Sequence, residues 1–143
     1  AERMMTAMGQ GKTQVSPYHM ALITSAIANG GTLMKPYLVD SVTNNAGNVI
    51  EKTKPEKYKD LMTSKEAAQL KDYMTAVTDY GTASVLGGQN YTAAGKTGTA
   101  EYSSDKEKDV DNPELVISVI IEQADGSAKA VNIAKKVFDA YYQ

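Results

Sequence analysis

From Pro17 onward, apolar residues recur at Met20, Ile23 and Ile27, the spacing that brings side chains back to one face of an α-helix every 3.6 residues. Ser16 stands immediately before the proline. A serine hydroxyl there accepts one of the unpaired N–H groups of the first turn, and proline at the first helical position loses no hydrogen bond by lacking its own N–H. Asn29-Gly30-Gly31 supplies the stop. Leu33–Val42 and Val49–Lys52, separated by the turn-rich "NNAGN", predict a small hairpin, with Pro36 confining its strand to an edge or an early position. A charged connector follows. Thr63 and Glu66 then have capping-box spacing, and Leu70, Tyr73, Met74 and Val77 line one face of a second helix that ends before Gly81. The stretch "GTASVLGGQNY" reads as a loop, Tyr91–Glu101 as a strand of small residues, and Leu115–Glu122, "LVISVIIE", as a β-branched buried strand. A last helix from about Ala128 to Tyr142 places Val131, Ala134, Val137, Phe138 and Tyr141 on a common side. The opening "AERMMTAMGQGKTQ" has neither cap nor turn, as expected of a chain entered midway through a larger fold.

The 143 residues suit one domain, and 42% hydrophobic content suffices for a core. A net charge of −2 offers no basic excess to neutralise a phosphate backbone, which argues against nucleic acid as a partner. With no cysteine there is no disulfide, catalytic thiolate or sulfur-ligated zinc, and a single histidine argues against a histidine metal site. No cofactor is expected. No apolar run reaches the roughly 18–20 residues that span a bilayer, so any membrane anchor is expected outside this chain.

The chemistry turns on "AAGKTGTAEY", residues 93–102. A phosphate-binding loop requires Gly-x4-Gly-Lys-Ser/Thr, because the first glycine lets the backbone curl and aim its N–H groups at phosphate. For Gly95-Lys96-Thr97 that first position is Asn90, and for the second copy, Gly11-Lys12-Thr13, it is Thr6. Both fail, and neither copy lies between an apolar strand and a clear helix. In the alternative, Lys96-Thr97-Gly98-Thr99 lines a cleft. Gly98 leaves room for a ligand to approach the backbone, the hydroxyls of Thr97 and Thr99 can bind a carboxylate, and the Lys96 ammonium adds positive potential. Lys-Thr-Gly is one of three motifs of β-lactamases and penicillin-binding proteins, beside Ser-x-x-Lys and a Ser-Asp-Asn type element.

On these residues the chain resembles the C-terminal part of the transpeptidase domain of a class B penicillin-binding protein. "GQGKTQVSPYHMALITSAIANGGTLMKPYLV" is similar to the helix and hairpin before the family's last motif, "AAGKTGTAEY" to that motif with its flanks, and "NPELVISVIIE" with the terminal helix to the closing strand and helix. The resemblance implies an α+β fold, an antiparallel sheet with packed helices, forming the C-terminal part of the β-lactamase/transpeptidase-like fold over residues 1–143. It implies a serine D,D-transpeptidase that attacks stem peptides ending in D-alanyl-D-alanine, cross-links peptidoglycan and is acylated by β-lactams, on the extracytoplasmic face of a bacterial membrane. Carried over, Lys96 polarises the site, Thr97, Gly98 and Thr99 bind the substrate, and the Thr99 backbone N–H serves the oxyanion hole. The substrate would lie along this segment as an added strand.

Two departures accompany the resemblance. The nucleophile belongs to a Ser-x-x-Lys motif upstream of the third motif, and a Ser-x-Asn element should lie between. The chain's Ser-x-x-Lys is instead Ser103–Lys106, downstream in the polar run "SSDKEKD" with no apolar periodicity behind it, and reads as a solvated loop. The upstream half with its serine is therefore the expected partner of this chain, and the chain alone is expected to be inactive. The aromatic-rich strand usual after the third motif is also replaced by "SSDKEKDVD" running into "NPELV". A non-catalytic penicillin-recognising sensor or scaffold is the alternative from another class. Elsewhere, His19 reads as a packing or surface residue, Gly9-Gln10-Gly11 as a turn or a helix end, Tyr102 as packing on the sheet, and Met4, Met5, Met8 and Met20 as adaptable filler.

Overall fold

A computed structural model of the chain describes residues 15–98, 114–119, 121 and 128–143. Helix α1 runs Pro17–Ala28, capped by Ser16, whose Oγ accepts the His19 N–H at 3.2 Å. His19 itself is exposed and its ring rests beside that cap. The helix closes with the Gly31 N–H donating to the Ala26 carbonyl at 2.7 Å and the Gly30 N–H to Ile27 at 3.3 Å. This pair of bonds needs a left-handed residue, and Gly30 supplies it at φ 63°. Gly31 is buried where helix and strands meet: its φ is 96°, and a Cβ there would stand 2.3 Å from the Met62 carbonyl oxygen.

Strand β1 (Thr32–Met34) leaves this junction, followed by β2 (Ser41–Thr43), β3 (Val49–Lys52) and β4 (Lys57–Asp60). Antiparallel β2 and β3 form the hairpin predicted around "NNAGN", closed by the Asn44 side chain, which accepts the N–H groups of Ala46 and Asn48. The expected single strand Leu33–Val42 is two strands in different ribbons, because β1 pairs with β4 and not with β3. Pro36, with no N–H to give a ladder, lies in the break between them. The charged connector is in part β4. Its "KYKD" carries no apolar alternation and is held by partners remote in sequence: Thr32 Oγ1 donates to Asp60 at 2.7 Å, Lys35 pairs with Glu56, and the Leu61 N–H reaches the Gly31 carbonyl at 2.9 Å.

Helix α2 (Ser64–Asp79) begins with the full capping box. The Thr63 hydroxyl accepts the Glu66 N–H while Glu66 takes the Thr63 N–H at 2.7 Å. The Thr63 hydroxyl, 2.7 Å from the Glu66 carboxylate, and then the Thr63 N–H hold that carboxyl below its usual range. The predicted face is half right. Met74 and Val77 turn inward, Val77 onto the core, and Ala67 and Thr78 are buried beside them, whereas Tyr73 is exposed and Leu70 borders on exposure. Helix α2 packs on α1, and Ala26 and Ala67 are both fully buried.

After α2 a short 3₁₀ turn, Ser84–Leu86, leads into Tyr91–Gly98. The strand expected from Tyr91 does not form over the described residues 91–98, nor does one form over the described part of Leu115–Glu122, whose residues 115–119 and 121 are half-buried without strand pairing. Helix α3 (Ala128–Tyr141) folds back so that Val131, Phe138 and the following Tyr142 pack on a core of Ala83, Leu86, Tyr91 and Ala93, while Val137 and Tyr141 point outward. Helices and separate antiparallel strands make the chain α+β, as expected. Among the described residues no helix is long and apolar enough to cross a membrane.

Gly30 and Gly31 make a paired test of the junction. Both hold positive φ, but a Cβ at Gly30 meets nothing within 4 Å. Gly30→Ala should cost about 1 kcal/mol and Gly31→Ala roughly 2–3 kcal/mol, read as urea midpoints at constant slope; equal costs would show that the Met62 carbonyl yields freely.

Candidate active site

The segment Ala93–Gly98 has no strand pairing among the described residues, and its polar groups are held instead by the end of α2. Thr78, 2% exposed, directs its hydroxyl to the Ala93 carbonyl at 2.6 Å and lies 2.8 Å from the Thr75 carbonyl. The Gly95 N–H donates to the Met74 carbonyl at 2.9 Å. Beyond the helix, the hydroxyls of Thr82 and Thr97 are 2.7 Å apart. The turn that delivers Thr82 is tight: the Ala83 N–H reaches the Val77 carbonyl at 2.9 Å, and a Cβ on Gly81 would stand 2.6 Å from the Val77 Cα. Glycine is required there on space alone.

Lys96, Thr97 and Gly98 therefore share one short run outside any helix or strand. Lys96 is exposed and its Nζ donates to the Thr97 carbonyl. Thr97 is half-buried through its pairing with Thr82, and Gly98 is exposed, with no described atom within 4 Å of where a Cβ would stand. An ammonium, a hydroxyl and an uncovered backbone in sequence suit an acceptor-only group such as a carboxylate. Thr99, Tyr102, Ser103–Lys106, Met4, Met5, Met8 and Gly9–Thr13 lie outside the described residues. Among the described residues no group of three or more His, Cys, Asp or Glu could hold a metal ion. Sequence reasoning missed Thr78 and Thr82. The first had a signal, since it falls on the helical face of Ala67 and Met74; the second stands in a stretch that reads only as loop.

Behind the run, Tyr91 locks the segment to α3. Its ring lies 5.4 Å from Phe138 and stacks on Tyr142 at 5.2 Å, and its hydroxyl donates to Asp139 at 2.9 Å. Lys135 pairs with the same carboxylate at 2.7 Å, and the Asn90 side chain donates to the Tyr142 carbonyl at 3.1 Å. Burial raises the Tyr91 phenol well above its usual range, with Asp139 adding to the effect. Lys135 first, and Tyr91 second, hold the Asp139 carboxyl below its ordinary 3.8.

Two outcomes follow from this lock. Tyr91→Phe keeps the stacking and loses the bond to a partly exposed carboxylate, so it should cost about 1 kcal/mol in denaturant unfolding. Because the folded pKa of Asp139 is depressed, its pairing stabilises fully above the unfolded value of 3.8 and is lost as pH falls through the lower folded value. Asp139→Asn should flatten that acid limb of stability against pH; an unchanged limb would remove Asp139 from the lock.

A family profile described as Penicillin binding protein transpeptidase domain matches residues 1–142. The Peptidoglycan D,D-transpeptidase MrdA of Haemophilus influenzae is 31% identical over 169 aligned positions, covering 98% of this chain and 26% of the relative. Among solved structures, the D,D-transpeptidase domain of a peptidoglycan glycosyltransferase from Eggerthella lenta superposes with a TM-score of 0.71 at 30% identity, over 91% of this chain and 33% of that one. The penicillin G acyl-enzyme complex of penicillin-binding protein A from M. tuberculosis does so with a TM-score of 0.76 at 28% identity, over 97% and 34%. The chain thus spans about a quarter of that curated relative and a third of those solved structures.

Proposed function

The chain belongs to the penicillin-binding protein transpeptidase domain family, and from that footing we propose that it is the C-terminal portion of the transpeptidase domain of a longer serine D,D-transpeptidase, which cross-links peptidoglycan stem peptides and is acylated by β-lactams. The observation that carries this reading is the near-complete match of the chain to one third of solved transpeptidases that include a penicillin acyl-enzyme. The surface supports it too. No large side chain among the described residues is fully buried, and Leu38, Val39, Val49, Ile50 and Tyr58 stand exposed, as apolar faces completed by further chain would.

In this reading the serine comes from a Ser-x-x-Lys helix upstream of the chain. Its hydroxyl attacks the penultimate D-alanyl carbonyl, the terminal D-alanine leaves, and the acyl group passes to an amine of a neighbouring stem peptide. Residues 96–99 serve this chemistry without supplying the nucleophile. Thr97 and Thr99 donate hydroxyl hydrogen bonds to the ligand carboxylate, Lys96 contributes positive potential, and Gly98 lets the ligand backbone lie close. We assign the backbone N–H of Thr99 the role of donor to the oxygen on which negative charge develops, where a preoriented donor lowers the barrier most. The whole protein works on the extracytoplasmic face of the membrane, anchored by a segment outside this chain.

The test is to label the full-length protein with a fluorescent penicillin and map the adduct. One adduct per molecule, on a peptide preceding residue 1, is expected; an adduct on Ser103, or none, overturns the reading. Within that protein, Thr97→Val and Thr99→Val should each slow acylation roughly ten- to a hundredfold, from the loss of a hydrogen bond to a charged group. Lys96→Ala should slow it as well, and Lys96→Arg should restore part of the rate, with ATP bound by none of these forms in calorimetry. Unchanged acylation in both valine variants would turn the hydroxyls away from the ligand.

A further inference from the structure

Thr78 and Thr82 stand four residues apart, and so do the residues they bond, Ala93 and Thr97. The end of α2 and its following turn therefore run beside the Lys-Thr-Gly segment at a constant offset of fifteen residues. The two contacts differ in kind. Thr78 is buried and gives its one proton to carbonyl oxygens, so it fixes where the backbone lies. Thr82 meets another hydroxyl, and a hydroxyl pair has two protons for one hydrogen bond. One proton occupies the 2.7 Å contact and the other is free to serve a third group.

We propose that Thr82 is a positioning residue for carboxylate recognition: it donates its proton to Thr97 Oγ1 and so leaves the Thr97 proton aimed at the ligand carboxylate. This inference rests on the reading of residues 96–99 as the carboxylate-binding segment. A carboxylate only accepts, so Thr97 is useful to it only as a donor. Were Thr97 to donate to Thr82, its lone pairs would face the anion. With the ligand bound, the protons run one way, from Thr82 to Thr97 to carboxylate, and each bond polarises the next. The surrounding geometry keeps the pair in place. Lys96 Nζ holds the Thr97 carbonyl, and the Gly81 turn, which has no room for a side chain, sets the position of Thr82. A neutral ester carbonyl at the same place accepts the same proton in a weaker bond than a carboxylate does, which makes the role a preference for anions.

The experiment measures second-order acylation of the full-length protein by benzylpenicillin and by its methyl ester, which keeps the ring and loses the carboxylate. Thr82→Val should slow the acid about tenfold and the ester, whose carbonyl accepts a weaker bond, several-fold less than the acid, while Thr82→Ser should react with both as the wild type does. In the Thr97→Val background, Thr82→Val should add nothing. Equal slowing of acid and ester by Thr82→Val would reduce Thr82 to a brace for the turn and overturn the proposal, as would no slowing at all. Should the valine variant fold poorly, Thr82→Ala gives the same acid-to-ester comparison. A wild type acylated by neither compound would instead overturn the proposed function itself, and this role with it.

Discussion

What the candidate site depends on is that α2 takes over the hydrogen bonding of a segment with no strand partner among the described residues. A run outside helix and sheet presents an N–H and a carbonyl at every residue, and those left inside the fold must be paired. Here the Ala93 carbonyl is met by the Thr78 hydroxyl, the Gly95 N–H by the Met74 carbonyl, and the Thr97 side chain by Thr82. These bonds are specific in position in a way that apolar packing is not. A shift of the segment would take the buried Ala93 carbonyl away from the Thr78 hydroxyl, at the desolvation cost of a buried polar group. The position of Lys96 and Gly98 is thus inherited from the end of a helix.

Local rules were legible wherever the interaction was itself local. Ser16-Pro17, Thr63 with Glu66, and the paired glycines after Asn29 each act within a few residues, and the caps and stops formed as the letters imply. Where a partner lies far along the chain, the pattern gave little. "KYKD" became a strand because Thr32–Met34 lay free to pair with it, and nothing in those four residues announces that. The face of α2 was read correctly at Met74 and Val77 and missed elsewhere for a related reason. Apolar character selected Leu70 and Tyr73, but the contacts with α1 and with Ala93 select small or hydrogen-bonding residues, Ala67 and Thr78, that can let another backbone come close. Family resemblance supplied the fold class and the motif that periodicity alone left open, and it could not supply Thr82, which no motif contains.

The lock at Tyr91 shows a division of labour between the two helices flanking the motif. The end of α2 and the turn after it touch the segment through directed hydrogen bonds at 93, 95 and 97, while α3 and Tyr142 hold it from behind through stacked rings and the Asp139 carboxylate at 91 and a carbonyl bond at 90. Stacked aromatic contacts add to area burial but tolerate small slides. Directed bonds do not, so they sit nearest Lys96.

Sequence separation gives these two holds different histories during folding. The contacts from Thr78 and Thr82 close loops of fifteen residues, whereas Tyr91 must find Asp139 across forty-eight. Loop-closure entropy grows with the logarithm of length, so the longer closure costs about 1 kcal/mol more. The short loops can also be sampled within roughly 10–100 ns, before distant elements meet. The segment bearing Lys96 can therefore be shaped by its own upstream helix while the chain is still emerging, and α3 closes over a surface whose pattern already exists.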